Sequence, residues 1–193
     1  MRILITSQNW TVVVVISKYL TVDLDSGDGL EEAAKEIRDF AKLLESKVQE
    51  VAEKLADVGI TVARNSVGDD YASYIVFQKS IVDQKDGECT ICMYADNSGD
   101  LVRRWGAGHS DTINAVMMNE VGSGWFAENP DGLSGAGQGT FPGQTHAFDP
   151  KGWFWTDSTG KHHSYGENGH LSMHKAYIAM QQDIGRIVSE VFG

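Results

Sequence analysis

The chain has 193 residues but only two cysteines and three prolines, and it has no long apolar run. Two cysteines cannot build a disulfide framework. The longest apolar run, from Thr11 to Ile16, is far shorter than the roughly 20 residues that span a bilayer. The start is a poor signal peptide, because Arg2 is its only early cation and no small-x-small cleavage site follows before Lys18. These absences predict a soluble protein made in the cytoplasm, with no membrane contact.

Positive charge is also scarce. The chain has 16 Lys and Arg against 27 Asp and Glu, which gives a net charge of −11 and a pI near 4.8. A surface that binds nucleic acid needs clustered Lys and Arg to displace counterions from the phosphates. An acidic surface repels phosphates, so it is compatible with a protein that lets DNA pass without holding it. The 41% hydrophobic content excludes a disordered chain, and the length allows one domain with a real core.

Helical periodicity is clearest from Gly29 to Gly59, where apolar residues recur at steps of three and four. Asp28 followed by Glu31 resembles a capping box, and Gly59 is a plausible stop. Two interpretations are open: a core helix packed on a sheet, or an assembly strut whose apolar stripe is shared between subunits. The stripe consists of Leu30, Ala33, Ala34, Ile37, Ala41, Leu44, Val48, Val51, Ala52 and Leu55.

The remaining regular elements are a second helix and several strands. The second amphipathic helix opens at Ser172 and runs to the C-terminus. Residues 74–83 and 88–95 predict a β-hairpin, and residues 101–105 are a candidate third strand. Residues 60–67 fit either a continuation of the first helix or a strand. The fold class predicted is therefore α+β, with two helices on a small, mostly antiparallel sheet.

Glycine, proline and aromatic residues concentrate between Val121 and Gly169, which holds 11 of the 21 glycines and all three prolines. A structureless connection of this length is uncommon in a compact domain and is usually functional or ordered by a partner. Aromatic side chains supply large buried areas at interfaces. We expect an arm that contacts neighbouring subunits; packing on its own domain and stacking on carbohydrate are the alternatives. Its candidate interface residues are Trp125, Phe126, Phe141, Phe148, Trp153, Phe154 and Trp155.

Evidence for catalysis is sparse. The chain has no nucleophile elbow and no phosphate-binding loop, and the pair Cys89 and Cys92 lies in strand-like sequence, where residues three apart face opposite sides. We therefore predict no catalytic residue, no cofactor and no bound metal. The alternative is a metal-dependent hydrolase, whose ligands and acid–base groups would come from His146, Asp149, His162, His163 and His170.

Several segments in their chain order resemble a known family. They are the helix ending in residues 51–64, the hairpin, Met118-Asn-Glu-Val-Gly-Ser-Gly124, the stretch Gly139-Thr-Phe-Pro-Gly followed by residues to Trp155, and the C-terminal helix from Met173 to Gly193. Together they are similar to the tail-component family of tailed bacteriophages with long non-contractile tails, which includes head–tail joining and tail-completion proteins. The resemblance covers residues 20–193.

The resemblance implies a virion structural protein of the phage neck, made in the host cytoplasm, with no catalytic residue to transfer. Such proteins assemble as a homo-oligomeric ring around the DNA channel, next to the head connector, other neck proteins and the tail. DNA then passes through without sequence-specific binding. The implied organisation is one tail-completion-like domain over residues 20–193, with residues 121–169 as an arm insertion. Residues 1–19 form an N-terminal extension, and the residue expected to be aromatic in the family is Val121 here.

Overall fold

The structure is a computed structural model that describes residues 10–12, 29–85, 87–105, 109–132 and 150–193. Its helices are α1 (Gly29–Ser66), α2 (Ala115–Val121) and α3 (Ser172–Phe192). Its strands are β1 (Trp10–Val12), β2 (Ile75–Lys85), β3 (Glu88–Asn97), β4 (Leu101–Trp105), β5 (His109–Ile113), β6 (Gly122–Gly124), β7 (Trp153–Asp157), β8 (Gly160–Ser164) and β9 (Gly166–Asn168). This mixture of helices and small antiparallel sheets confirms the α+β fold.

Helix α1 continues past the glycine at which the sequence predicted its end. It has 38 residues and reaches Ser66, so residues 60–66 continue the helix and do not begin a strand. A glycine inside a helix costs about 1 kcal/mol relative to alanine. Ile60 and Ala63 are both buried, and burial of one large apolar side chain contributes about 1.5–3 kcal/mol. This burial outweighs the cost of Gly59.

The strands form four small sheets. The largest has three strands in the order β1-β3-β2, and β1 runs antiparallel to β3 with Trp10 opposite Met93. Along β3, Cys89, Ile91 and Met93 are buried in alternation, as expected of a strand with one face on the core. The other three sheets are the antiparallel pairs β4·β5, β6·β9 and β7·β8.

The described part of the chain divides into two compact units. The first takes the described residues within Met1–Asp57, Lys79–Met93 and Met180–Gly193, and the second takes those within Val58–Gln78 and Tyr94–Ala179. Each unit has its own buried apolar residues. Those of the first include Val48, Val51, Leu55, Ile91, Met93, Ile187 and Val191, and those of the second include Tyr71, Phe77, Leu101, Ile113, Met118 and Val121. The predicted boundary between residues 19 and 20 lies outside the described residues.

The glycine-rich window contains more regular structure than its composition indicates. Strand β6 opens it, and β7, β8 and β9 follow near its end. Strand β6 pairs with β9, which places Gly122 opposite Asn168. Residues 133–149 of the window lie outside the described residues. Across the described ranges, no helix is long and apolar enough to cross a membrane.

Candidate interaction surface

Four aromatic side chains of the second unit contact one another in a row. Phe154 and His163 stack with ring centroids 4.1 Å apart and planes 18° from parallel. His163 meets Tyr165 edge-on at 4.3 Å, and Tyr165 meets Phe126 edge-on at 6.4 Å. We call these four residues the aromatic row. Stacked and edge-on contacts are the geometries that aromatic rings prefer.

The backbone of the window places the members of the row side by side. Phe154 and His163 are direct partners in the β7·β8 pair, where facing side chains on one side of the sheet touch. The His163 ring is held further by a hydrogen bond of 2.7 Å between Nε2 and the Lys151 carbonyl. Trp125 donates its backbone N–H to the Tyr165 carbonyl at 2.8 Å, which brings Phe126 beside Tyr165.

The row is open to solvent. Phe154 is 60% exposed, Tyr165 45% and Phe126 41%, and the neighbouring Trp125 is 46% exposed. The Lys161 ammonium lies 5.1 Å from the centroid of the Phe154 ring and adds a cation–π contact. Contiguous exposed apolar patches of this kind mark interaction sites, whereas single exposed apolar residues are ordinary. The aromatic row is therefore the best candidate interaction surface in the described part of the chain.

The predicted interface residues are distributed as follows. Trp125, Phe126 and Phe154 are exposed at or beside the aromatic row. Trp153 and Trp155 lie on either side of Phe154 in β7, opposite Ser164 and His162. Phe141 and Phe148 lie outside the described residues.

Two members of the row were not predicted as interface residues. The sequence gives Tyr165 no signal beyond its position in the window, and it indicates His163 only as a metal ligand or acid–base group of the alternative hydrolase. Their spacing of two residues, at the end of a strand that pairs with aromatic β7, is the pattern that indicates a shared face.

The residues of the alternative metal site are not assembled in the described structure. His146 and Asp149 lie outside the described residues. The His162 Nε2 atom is 3.0 Å from Thr159 Oγ1, and His170 packs edge-on against Tyr71 with centroids 6.3 Å apart. Within the described ranges, no three His, Cys, Asp or Glu side chains come together in a group that could hold a metal ion.

The two cysteines lie in β3 and are free thiols. Cys89 is buried and Cys92 is half-buried. Burial, with a smaller contribution from the charge of Glu53, raises the pKa of the Cys89 thiol. A raised pKa lowers the thiolate fraction, so Cys89 is a poor nucleophile and behaves as a small core residue.

A buried carboxylate holds the start of α3. Glu120, at the end of α2, is only 4% exposed. Its Oε1 accepts the backbone N–H of His174 at 2.9 Å, and its Oε2 accepts that of Met173 at 2.9 Å and the Ser172 hydroxyl at 3.1 Å. The first N–H groups of a helix have no partner within the helix, and the helix dipole favours a negative charge there. Glu120 therefore caps α3 from another element.

Asn119 completes this capping network. Its side-chain amide donates to Ser172 Oγ at 2.7 Å, and its Oδ1 accepts the backbone N–H of Gly68 at 3.1 Å. The His174 ring adds a hydrogen bond from Nδ1 to Asp131 at 2.9 Å. The capping network consists of Asn119, Glu120 and Ser172, all buried. Every polar side chain in it has a partner, so it is a structural network and shows no open position for a substrate.

No protein-family model, curated protein or solved structure matches this chain. The aromatic row and the capping network are therefore interpreted from their own geometry and chemistry.

Proposed function

We propose that the protein is a virion structural protein of the bacteriophage neck. It assembles as a homo-oligomeric ring around the DNA channel and joins the head connector to the tail, in contact with neighbouring neck and tail proteins. The observation that carries this proposal is the exposed aromatic row, which lies in the window from Val121 to Gly169 that we expect to be an intersubunit arm.

The row has the chemistry of a protein interface. Burial of one large aromatic side chain contributes about 1.5–3 kcal/mol, and aromatic anchors dominate the energy of many interfaces. Phe154 and Phe126 face solvent, so this burial energy is available to a protein partner that covers them. Phe154 contacts His163, and Phe126 contacts Tyr165, so both rings are held in place before a partner binds. Because the rings are already ordered, less side-chain entropy is lost on binding.

The charge of the chain suits a DNA channel. A net charge of −11 repels the phosphate backbone, so DNA can slide past the ring instead of adhering to it. The resemblance to the tail-component family of long-tailed phages supports the same role. The protein acts by assembly, without a catalytic residue or cofactor.

The proposal is tested by replacing Phe126 and Phe154 together with alanine. We expect the variant to fold normally but to fail in ring assembly, and phage particles that depend on it should accumulate heads and tails that are not joined, as seen by electron microscopy. Val82→Ala is the matched control, because Val82 is 64% exposed in β2, away from the row. Normal joining by the double variant, or normal infection by particles that lack the protein, would remove the neck role.

Two competing functions have direct assays. A metal-dependent hydrolase needs about one bound transition metal per chain, which metal analysis of the purified protein detects. Flat exposed rings can also stack on sugars, so a glycan-binding module predicts that oligosaccharides quench the fluorescence of exposed Trp125.

A further inference from the structure

The first half of α1 does not contribute to the buried core. No residue from 31 to 47 is buried, although these residues span more than four helical turns. Ile37 is 46% exposed, whereas Val48, Val51 and Leu55 further along the same helix are at most 1% exposed. The apolar stripe of α1 thus runs from a buried half, inside the first unit, into an exposed half.

The stripe has the period of a helix that packs along another helix. Apart from Ala52, its residues from 34 to 55 alternate between steps of three and four, which is a seven-residue repeat. One series of positions holds Ala34, Ala41, Val48 and Leu55, and the other holds Ile37, Leu44 and Val51. We call these two series the seam. A seven-residue repeat keeps a seam facing a second helix over several turns, so the partner that fits the exposed half is a helix.

We propose that the exposed half of the seam binds the same half of α1 from a second copy of the chain, in antiparallel orientation. In the exposed half, one series is alanine and the other is large. Reversal of one helix makes the two series face each other, so that Ala34 lies against Ile37 of the second copy. Large against small residues fill such layers, whereas a parallel pair would set alanine against alanine and leave gaps.

The charges beside the seam agree with this orientation. Glu31, Arg38 and Glu45 occupy the same flanking position in successive repeats and alternate in sign. In the antiparallel register that faces Ala34 with Ile37, Arg38 lies beside Glu31 of the second copy, and two-fold symmetry forms this pair twice. Opposite charges at flanking positions set the orientation and register of paired helices.

This contact is separate from the one assigned to the aromatic row. An antiparallel pair of identical helices is a two-fold contact, whereas a ring is closed by head-to-tail contacts between different surfaces. The helix pair does not depend on the neck role and can be tested on the purified protein alone. We expect loss of either contact to leave the other intact.

The test compares two substitutions in the full-length protein. Ile37→Glu places a charge in the seam, and Leu43→Glu places the same charge on the same helix at a position that is 51% exposed but lies off the seam. By sedimentation equilibrium over a range of concentrations, we expect the wild type and Leu43→Glu to self-associate alike. Ile37→Glu should weaken association by about tenfold or more. Circular dichroism shows whether each variant keeps its helix content.

A charge exchange tests the orientation without placing a charge in the seam. Arg38→Glu should weaken association, and Arg38→Glu combined with Glu31→Arg should restore it, because the exchanged charges again face each other. A wild type that stays monomeric at the highest concentrations would overturn the proposal. So would equal weakening by Ile37→Glu and Leu43→Glu, or a double exchange that fails to restore association.

Discussion

Replacement of Glu120 by alanine removes the cap of α3 and tests whether that helix depends on a carboxylate from α2. The change leaves the N–H groups of Met173 and His174, and the Ser172 hydroxyl, without their acceptor. A buried donor that loses its partner costs about 1–3 kcal/mol, and loss of a helix N-cap typically costs about 1 kcal/mol. Because water can reach a helix end in part, we expect a loss of about 2–4 kcal/mol in the free energy of unfolding.

This loss is a large share of a total stability of about 5–15 kcal/mol. For a chain of this size it corresponds to a fall in melting temperature of roughly 4–16 °C, measured by circular dichroism and checked by urea unfolding. Glu120→Gln should lie between the wild type and Glu120→Ala, because its single carbonyl oxygen can still accept one of the two N–H groups. Glu128→Ala is the control, since Glu128 is exposed in the same unit. If Glu120→Ala costs no more than Glu128→Ala, the capping argument is wrong.

Two other substitutions test backbone geometry and surface charge. Gly122→Ala should lower the free energy of unfolding by more than about 2 kcal/mol, because φ is +71° and a Cβ would lie 2.3 Å from the Glu167 carbonyl oxygen. Urea unfolding measures this loss, and the control is Gly87→Ala, where φ is +79° but the space around the Cβ is open. Glu190→Gln should lower the melting temperature slightly at pH 7, because the hydrogen bond from Lys54 at 2.6 Å lowers the pKa of Glu190 below its usual 4.5. A carboxylate with a lowered pKa stabilises the fold above pH 4.5, and this contribution is lost as the pH falls through the lowered pKa. The difference in melting temperature between the wild type and Glu190→Gln should therefore vanish in acid, and it should shrink in high salt.

The helices could be predicted because their signals are local. The apolar period located the start of α1 at Gly29 and the start of α3 at Ser172. The end of α1 could not be predicted, since Gly59 is a local stop signal and the burial that overrides it comes from contacts distant in sequence. The hairpin of β2 and β3 was predictable for the same local reason, as its strands alternate and a short turn joins them.

The aromatic window shows where local patterns stop being informative. Its residue types predict an arm that contacts neighbouring subunits, which stays a prediction, and Phe126 and Phe154 are exposed in the structure. Its strands were not predicted, because β6 and β9 are only three residues long and each is stabilised by the other from the opposite end of the window. Strand pairs of this kind depend on sequence separation and register, which the composition of either segment alone does not encode.

The capping network links the stability of the second unit to the geometry of the aromatic row. Strand β6 begins two residues after Glu120 and leads into Trp125, while Tyr165 leads through β9 to the capped end of α3. The pairing of Gly124 with Gly166 holds these two segments together just before the row begins. Both backbone carbonyls at the end of α2 take part, since those of Asn119 and Glu120 accept the N–H groups of His170 and Leu171. We therefore expect loss of the cap to weaken the base of both segments, so that the contact of Phe126 with Tyr165 loosens before the rest of the unit unfolds.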